Sequence, residues 1–197
     1  MAKINLNVLK KAASEAINNA STRKIVLEEA TMKFEIAKQQ MIEEFENHPV
    51  TREIEDGPEA GNSSNTLGGY GNLYSFIGFE EGAKPTTVIK DYLEKSTQLK
   101  SQLVFKRGED GGTYHLKFTA PSATELEEAT PSPWDAKSWV RGIERGISGL
   151  GYYIYGRFSE KSRSGSALQA ETKLRNFGYK PVKYMSNIIN NFLSRLR

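Results

Sequence analysis

Residues 27–45 read LEEATMKFEIAKQQMIEEF, and the apolar positions Leu27, Ala30, Phe34, Ala37, Met41 and Phe45 recur at spacings of 3, 4, 3, 4 and 4. That recurrence follows the turn of an α-helix, so the six side chains form one stripe that a core can cover. Strong helix formers, among them Glu28, Glu29, Lys38, Gln39 and Gln40, fill other positions. The helical pattern extends over residues 8–47. One unbroken helix of that length would measure about 60 Å, longer than a domain of this size is wide. The weak spot is Asn18-Asn19-Ala20-Ser21-Thr22, where Ser21 or Thr22 is suited to cap a second helix. The pattern therefore either breaks near Asn19 or projects and packs on a neighbouring subunit. His48-Pro49 stops it, because the residue before proline is driven out of helical geometry.

Beyond that stop, residues 56–72 read DGPEAGNSSNTLGGYGN, seventeen residues made almost wholly of turn-formers. Such a stretch inside a compact domain usually marks a binding loop or a segment that orders against a partner. Residues 73–79, LYSFIGF, read as an aromatic strand. Residues 85–96 read as a short helix opened by Pro85, with Val88, Ile89, Tyr92 and Leu93 inward. A hairpin follows, with arms 103–106 and 114–118 around 107–112; Tyr114, Leu116 and Phe118 alternate with His115 and Lys117. Residues 121–133 are an acidic, proline-punctuated connection. Asp135 is placed to cap a helix over 136–148 carrying Trp139, Ile143 and Ile147, with Gly149 and Gly151 at its end. Residues 152–158 and 168–174 read as strands around a Ser/Gly/basic loop at 159–166. Pro181 opens a last helix, with Val182, Met185, Ile189, Phe192 and Leu196 inward and Arg195 and Arg197 at its negative end. Helices and strands in blocks predict an α+β fold with a small, mostly antiparallel sheet.

The 197 residues include no cysteine, which removes disulfides, thiol nucleophiles and thiolate metal sites. No apolar run approaches the roughly 20 residues that span a bilayer, and the first residues lack the apolar centre of a signal peptide; the expectation is a protein made in the cytosol, without a membrane partner. The net charge of +3 is unevenly spread. Residues 151–197 hold nine basic and two acidic side chains, and residues 1–150 hold eighteen basic and twenty-two acidic. Opposite signs at the two ends favour head-to-tail self-association or an anionic partner for the basic end.

Catalytic equipment is sparse. The two histidines read as a capping residue at the helix-terminating His48-Pro49 and an outward-facing surface residue of the hairpin (His115). There is no HExxH, GxSxG or GK[ST] pattern. Gly68-Gly69-Tyr70-Gly71-Asn72 looks like a phosphate cradle, but a cradle follows a strand and opens a helix, whereas this run follows a loop and opens a strand. The carboxylates Glu43, Glu44 and Glu46 read as the solvated side of a helix, and Glu125, Glu127 and Glu128 as part of a flexible connection; hydrolysis of a glycosidic bond needs two carboxyls in a rigid cleft. No catalytic residue, cofactor or metal is expected. Arg157, Lys161 and Arg163 follow the aromatic run Tyr152-Tyr153-Ile154-Tyr155, a mixture suited to contact with DNA phosphates without reading of bases.

Two blocks of sequence resemble tailed-bacteriophage virion proteins of the head–tail neck and tail-completion type. One is His48-Pro49-Val50-Thr51-Arg52-Glu53-Ile54 with residues 65–79, NTLGGYGNLYSFIGF. The other is Pro131-Ser132-Pro133-Trp134 with residues 138–153, SWVRGIERGISGLGYY, and Ser162-Arg163-Ser164-Gly165. The order of long N-terminal helix, small sheet, packed helix and C-terminal helix is similar to that family's ring-forming fold. The resemblance implies a non-enzymatic virion component, assembled in the host bacterial cytoplasm. Residues 1–197 would form one ring-forming domain, with 1–47 a helical arm and 56–72 an extended docking loop that meets its partner through Asn62, Leu67, Tyr70 and Leu73. It implies a six-fold or twelve-fold homo-oligomeric ring, lying between the connector on the capsid's portal side and the tail tube, with double-stranded DNA passing through. Arg157, Lys161 and Arg163 would face that DNA or an acidic neighbour. The alternative is a DNA-binding protein that grips phosphates non-specifically with its basic C-terminal third.

Overall fold

The computed structural model describes residues 15, 17–67, 71–108, 111–133, 135–145, 153–155, 167–169 and 179–197. The helical pattern breaks at its weak run. Asn19 stands in extended geometry as the N-cap of α1 (Ala20–Asn47), its side chain accepting from the Thr22 N–H at 2.7 Å. The cap is thus Asn19 rather than Ser21 or Thr22, one residue ahead of the first helical position. Helix α1 has 28 residues, about 42 Å. Phe34, Ala37, Met41 and Phe45 of the expected stripe are buried, and Leu27 and Ala30 are half-buried.

His48 ends α1, yet Pro49 opens a second helix, α2 (Pro49–Glu55). Proline suits a first helical turn, where its missing N–H would have had no partner. The residues after the long loop form a helix, α3 (Leu73–Ile77), and not the expected strand. Asn72 caps it, accepting from the Ser75 N–H at 2.9 Å, and Gly78 ends it at φ +84°. The N–H groups of Gly78 and Phe79 both reach the Tyr74 carbonyl at 3.2 Å, a closure that needs the left-handed backbone glycine supplies. Cap residues on both sides outweigh the β-preference of the aromatics between them.

Helix α4 (Pro85–Ser96) forms over the expected residues, with Thr86, Ile89 and Leu93 buried. Val88 was expected inward and is instead 49% exposed, one residue to the side of that inward line. Strands β1 (Gln98–Gly108) and β2 (Gly111–Thr119) pair antiparallel, with Leu103 opposite Leu116 and Phe105 opposite Tyr114. The connection read as irregular holds a helix, α5 (Ala123–Ala129), capped by Ser122 and anchored by buried Leu126. Asp135 does not cap a helix. It starts β4 (Asp135–Ser138), which pairs with β3 (Pro131–Ser132), and α6 (Trp139–Arg145) begins only after Ser138. The Ser138 hydroxyl accepts from the Arg141 N–H at 3.1 Å and so takes the capping role. Ile147, Gly149 and Gly151 lie outside the described residues. Strands β5 (Tyr153–Tyr155) and β6 (Ala167–Gln169) pair antiparallel, and α7 (Met185–Arg195) completes the chain.

The architecture is α+β, and among the described residues the strands pair antiparallel as two-stranded ribbons, β1 with β2, β3 with β4 and β5 with β6. Helices α1 and α7 pack together around an aromatic junction. Phe34 of α1, Phe118 of β2 and Phe192 of α7 meet with ring centres 5.8–6.2 Å apart. A second group stacks Phe79 edge-on to Trp139 at 5.6 Å and against Tyr74 at 5.5 Å, holding α3 to α6. No helix among the described residues is long and apolar enough to cross a membrane.

Candidate interaction surface

The loop over 56–72 is not an extended arm in its described part. It begins with a short 3-10 turn, Gly57–Glu59, and folds onto the carboxylate of Glu53 in α2. Glu53 is fully buried. Its Oε1 accepts from the Leu73 N–H at 2.7 Å and the Asn62 side-chain amide at 3.2 Å, and its Oε2 accepts from the Ser64 N–H at 2.7 Å. Burying a carboxylate is costly unless donors surround it, and two of these are backbone N–H groups, one in the loop (Ser64) and one at the start of α3 (Leu73). Glu53 therefore occupies the N-terminus of α3. The glycine-rich run does open a helix, contrary to the sequence expectation, but the place a phosphate would take is filled by the chain's own carboxylate.

Of the proposed docking residues, Leu67 and Leu73 are 4% and 0% exposed within the chain's own core. They anchor the loop to its own domain and offer no free apolar surface to a neighbour. Asn62 is half-buried against Glu53. Ser63 and Asn65 are the outward residues at the loop's turn, Asn65 with φ +55°. Tyr70 lies outside the described residues, as do Arg157, Lys161 and Arg163.

His48 has the capping role expected of it, and several other polar residues have roles that their sequence setting did not disclose. His48 caps α2, its Nδ1 accepting from the Val50 N–H at 3.2 Å, and its ring lies 4.7 Å from that of Tyr184. Burial lowers the His48 pKa. Burial also pushes the Tyr184 hydroxyl pKa up, and that hydroxyl shares a 2.6 Å hydrogen bond with Thr51. Glu144 of α6 caps α7 from outside, accepting from the Tyr184 and Ser186 N–H groups at 3.2 and 2.7 Å. Glu44 is half-buried and pairs with Arg195, while Glu46 pairs with Lys90, so this group is not simply the solvated side of α1. Glu125, Glu127 and Glu128 stand on α5, with Glu127 facing Arg141 and Arg145 across to α6. Among the described residues no three His, Asp or Glu side chains gather to hold a metal ion.

The outward face of α1 is the most unusual surface. Ile25, Met32 and Ile36 are 58%, 55% and 51% exposed. Each stands nine residues before a core residue, respectively Phe34, Met41 and Phe45. Nine residues are two and a half turns of an α-helix, so the exposed line repeats the buried one on the opposite side. Between α1 and the end of α4 this face forms an open groove of about 670 Å³. Met32, Ile36 and Ile42 are its apolar lining, and Glu35, Glu43 and Glu94 are among its acidic edges. Lys38 holds the two helices together beneath it, donating to the Glu94 and Thr97 carbonyls at 2.9 Å each, where the α4 carbonyls lack partners.

No family model, curated protein or solved structure matches this chain.

Proposed function

We propose that the chain is a structural virion protein of a tailed bacteriophage. Copies form a ring at the head–tail junction (neck, tail completion or tail terminator) that joins the capsid connector to the tail and lets DNA pass. The two resembling blocks of sequence support this reading, and one structural observation carries it: α1 holds a second apolar line facing outward. Core helices of a self-sufficient domain turn a polar side to water. An apolar line continued onto the solvent side marks a surface that another chain covers. The protein acts by assembly, with no bond made or broken.

In this reading the folded loop at 56–72 presents its turn, Ser63 and Asn65, while Leu67 and Leu73 hold its base. Arg157, Lys161 and Arg163 face the DNA or an acidic neighbouring ring. The test is the mass of the purified particle, alone and mixed with tails. The expected result is a closed assembly of many 22.0 kDa copies that binds tails and restores their joining to filled heads. A strict monomer that ignores tails overturns the reading. Should that monomer bind DNA with an affinity falling steeply in salt, the free DNA-binding alternative takes its place.

A further inference from the structure

We propose that the acidic groove on α1 is the seat for residues 1–14 of a second copy of this chain, so that subunits join head to tail; this rests on the ring-forming reading above. The groove has an apolar lining, Met32, Ile36 and Ile42, and carboxylates at its edges, Glu35, Glu43 and Glu94. Residues 1–14, MAKINLNVLKKAAS, have the complementary chemistry: Ile4, Leu6, Val8 and Leu9 are apolar, Lys3, Lys10 and Lys11 are basic, and no residue is acidic. A segment with apolar anchors and positive flanks suits an apolar groove with negative edges.

In one copy the residues that follow this segment and the groove lie at different places along α1, and the ring-forming reading makes a neighbour the source. The Ile17 carbonyl accepts from the Tyr114 hydroxyl at 2.7 Å, beside the hairpin and ahead of the first turn of α1. The groove begins at Met32, twelve residues further along the helix, or about 18 Å from Ala20. Ile17 thus stands ahead of one end of α1 and the acidic groove lies towards the other. When donor and acceptor surfaces differ and lie apart, the contact between copies is heterologous, and its repetition gives a ring where the rotation between copies closes and an open filament where it does not. The same contact would cover Met32 and Ile36 of the second apolar line of α1.

Because the chain has no cysteine, cross-linking gives a clean readout. Leu9→Cys and Ile36→Cys are made in separate chains and mixed under mild oxidation; Ile36 is half-exposed, so its replacement leaves the core intact. The expected product is a disulfide-linked pair containing one chain of each kind. In parallel, Glu35→Lys with Glu43→Lys should weaken self-association by roughly tenfold or more, and adding Lys10→Glu with Lys11→Glu to that chain should restore it. Failure of the mixed pair to form, or unchanged association after charge reversal, overturns the groove. So does a disulfide that forms within one chain carrying both cysteines at high dilution, or one that forms only with a tail protein. If the wild-type particle keeps a ring's mass while the cross-link fails, the groove is wrong and the ring stands. A wild-type monomer both alone and with tails removes both.

Discussion

A fully buried carboxylate such as Glu53 stays folded only while its donors stay in place. Removing it strands the Leu73 and Ser64 N–H groups that it accepts from, and each unpaired buried donor costs about 1–3 kcal/mol. Glu53→Ala should therefore destabilise the chain by about 2–4 kcal/mol and speed proteolysis within residues 56–67; an unchanged urea midpoint would remove the staple role. His48 gives a pH dependence of definite sign. Its pKa is lowered from the ordinary 6.5 by burial, so the unfolded chain takes up the proton first. Its contribution is present above about pH 6.5 and falls as the pH drops from there towards the lower folded value. The urea midpoint should decline between pH 7 and pH 5.5 (about the range in which a lowered histidine pKa acts), and His48→Asn, which keeps a cap acceptor without titrating, should flatten that decline. A wild-type midpoint that is level over this range would sink the argument. The capping role of His48 was legible in sequence, since its acceptor bond to Val50 is local; its burial against Tyr184 and the role of Glu53 were not, because they depend on the docking of Tyr184 and the return of the loop.

Elements were legible where local signals agreed. The stripe on α1, the proline opening α4, the alternation in β2 and the apolar face of α7 at Met185, Ile189 and Phe192 each follow from spacing alone, although α7 begins at Met185 and not at the expected Pro181, which leaves Val182 outside it. They failed where a cap competed with propensity. The aromatics of residues 73–79 favour a strand, but Asn72 and Gly78 close a helix around them. Residues 135–138 pair with Pro131 and Ser132 and delay α6, a choice made by a partner segment. Phe34 shows what holds the elements together, since it touches Phe118 and Phe192 at once. Phe34→Ala should cost about 3–5 kcal/mol by leaving a cavity where α1, β2 and α7 meet. The check is the shift in urea midpoint set against Ile36→Ala on the opposite side of α1, which should shift it by less than about 1 kcal/mol. Equal losses would show that the two faces of α1 do not differ as buried and exposed surfaces.

At the scale of the whole molecule, two asymmetries run along one chain. Charge divides between an acidic first part and a basic last part, and α1 carries apolar residues on both sides. A chain that folded for itself alone gains nothing from the second apolar line; the proposed assembly would give that line something to bury. The same view changes what the long loop is. Its base is welded to Glu53, Leu67 and Leu73, so deleting residues 61–69 would damage the subunit, and docking is better probed at the outward Ser63 and Asn65.

By itself the sequence determined what depends on neighbours a few positions away: the helical stripe, the stop at His48-Pro49, the hairpin pattern and the α+β class, while leaving open whether the helix breaks near Asn19. Periodicity and backbone restriction act locally, so they survive without knowledge of the fold. Only the tertiary structure decided which apolar residues of α1 were covered, that residues 73–77 are helical, and that the turn-rich loop folds back onto a buried carboxylate. Each of those depends on segments far apart in the chain, brought together by burial that no single window of sequence contains.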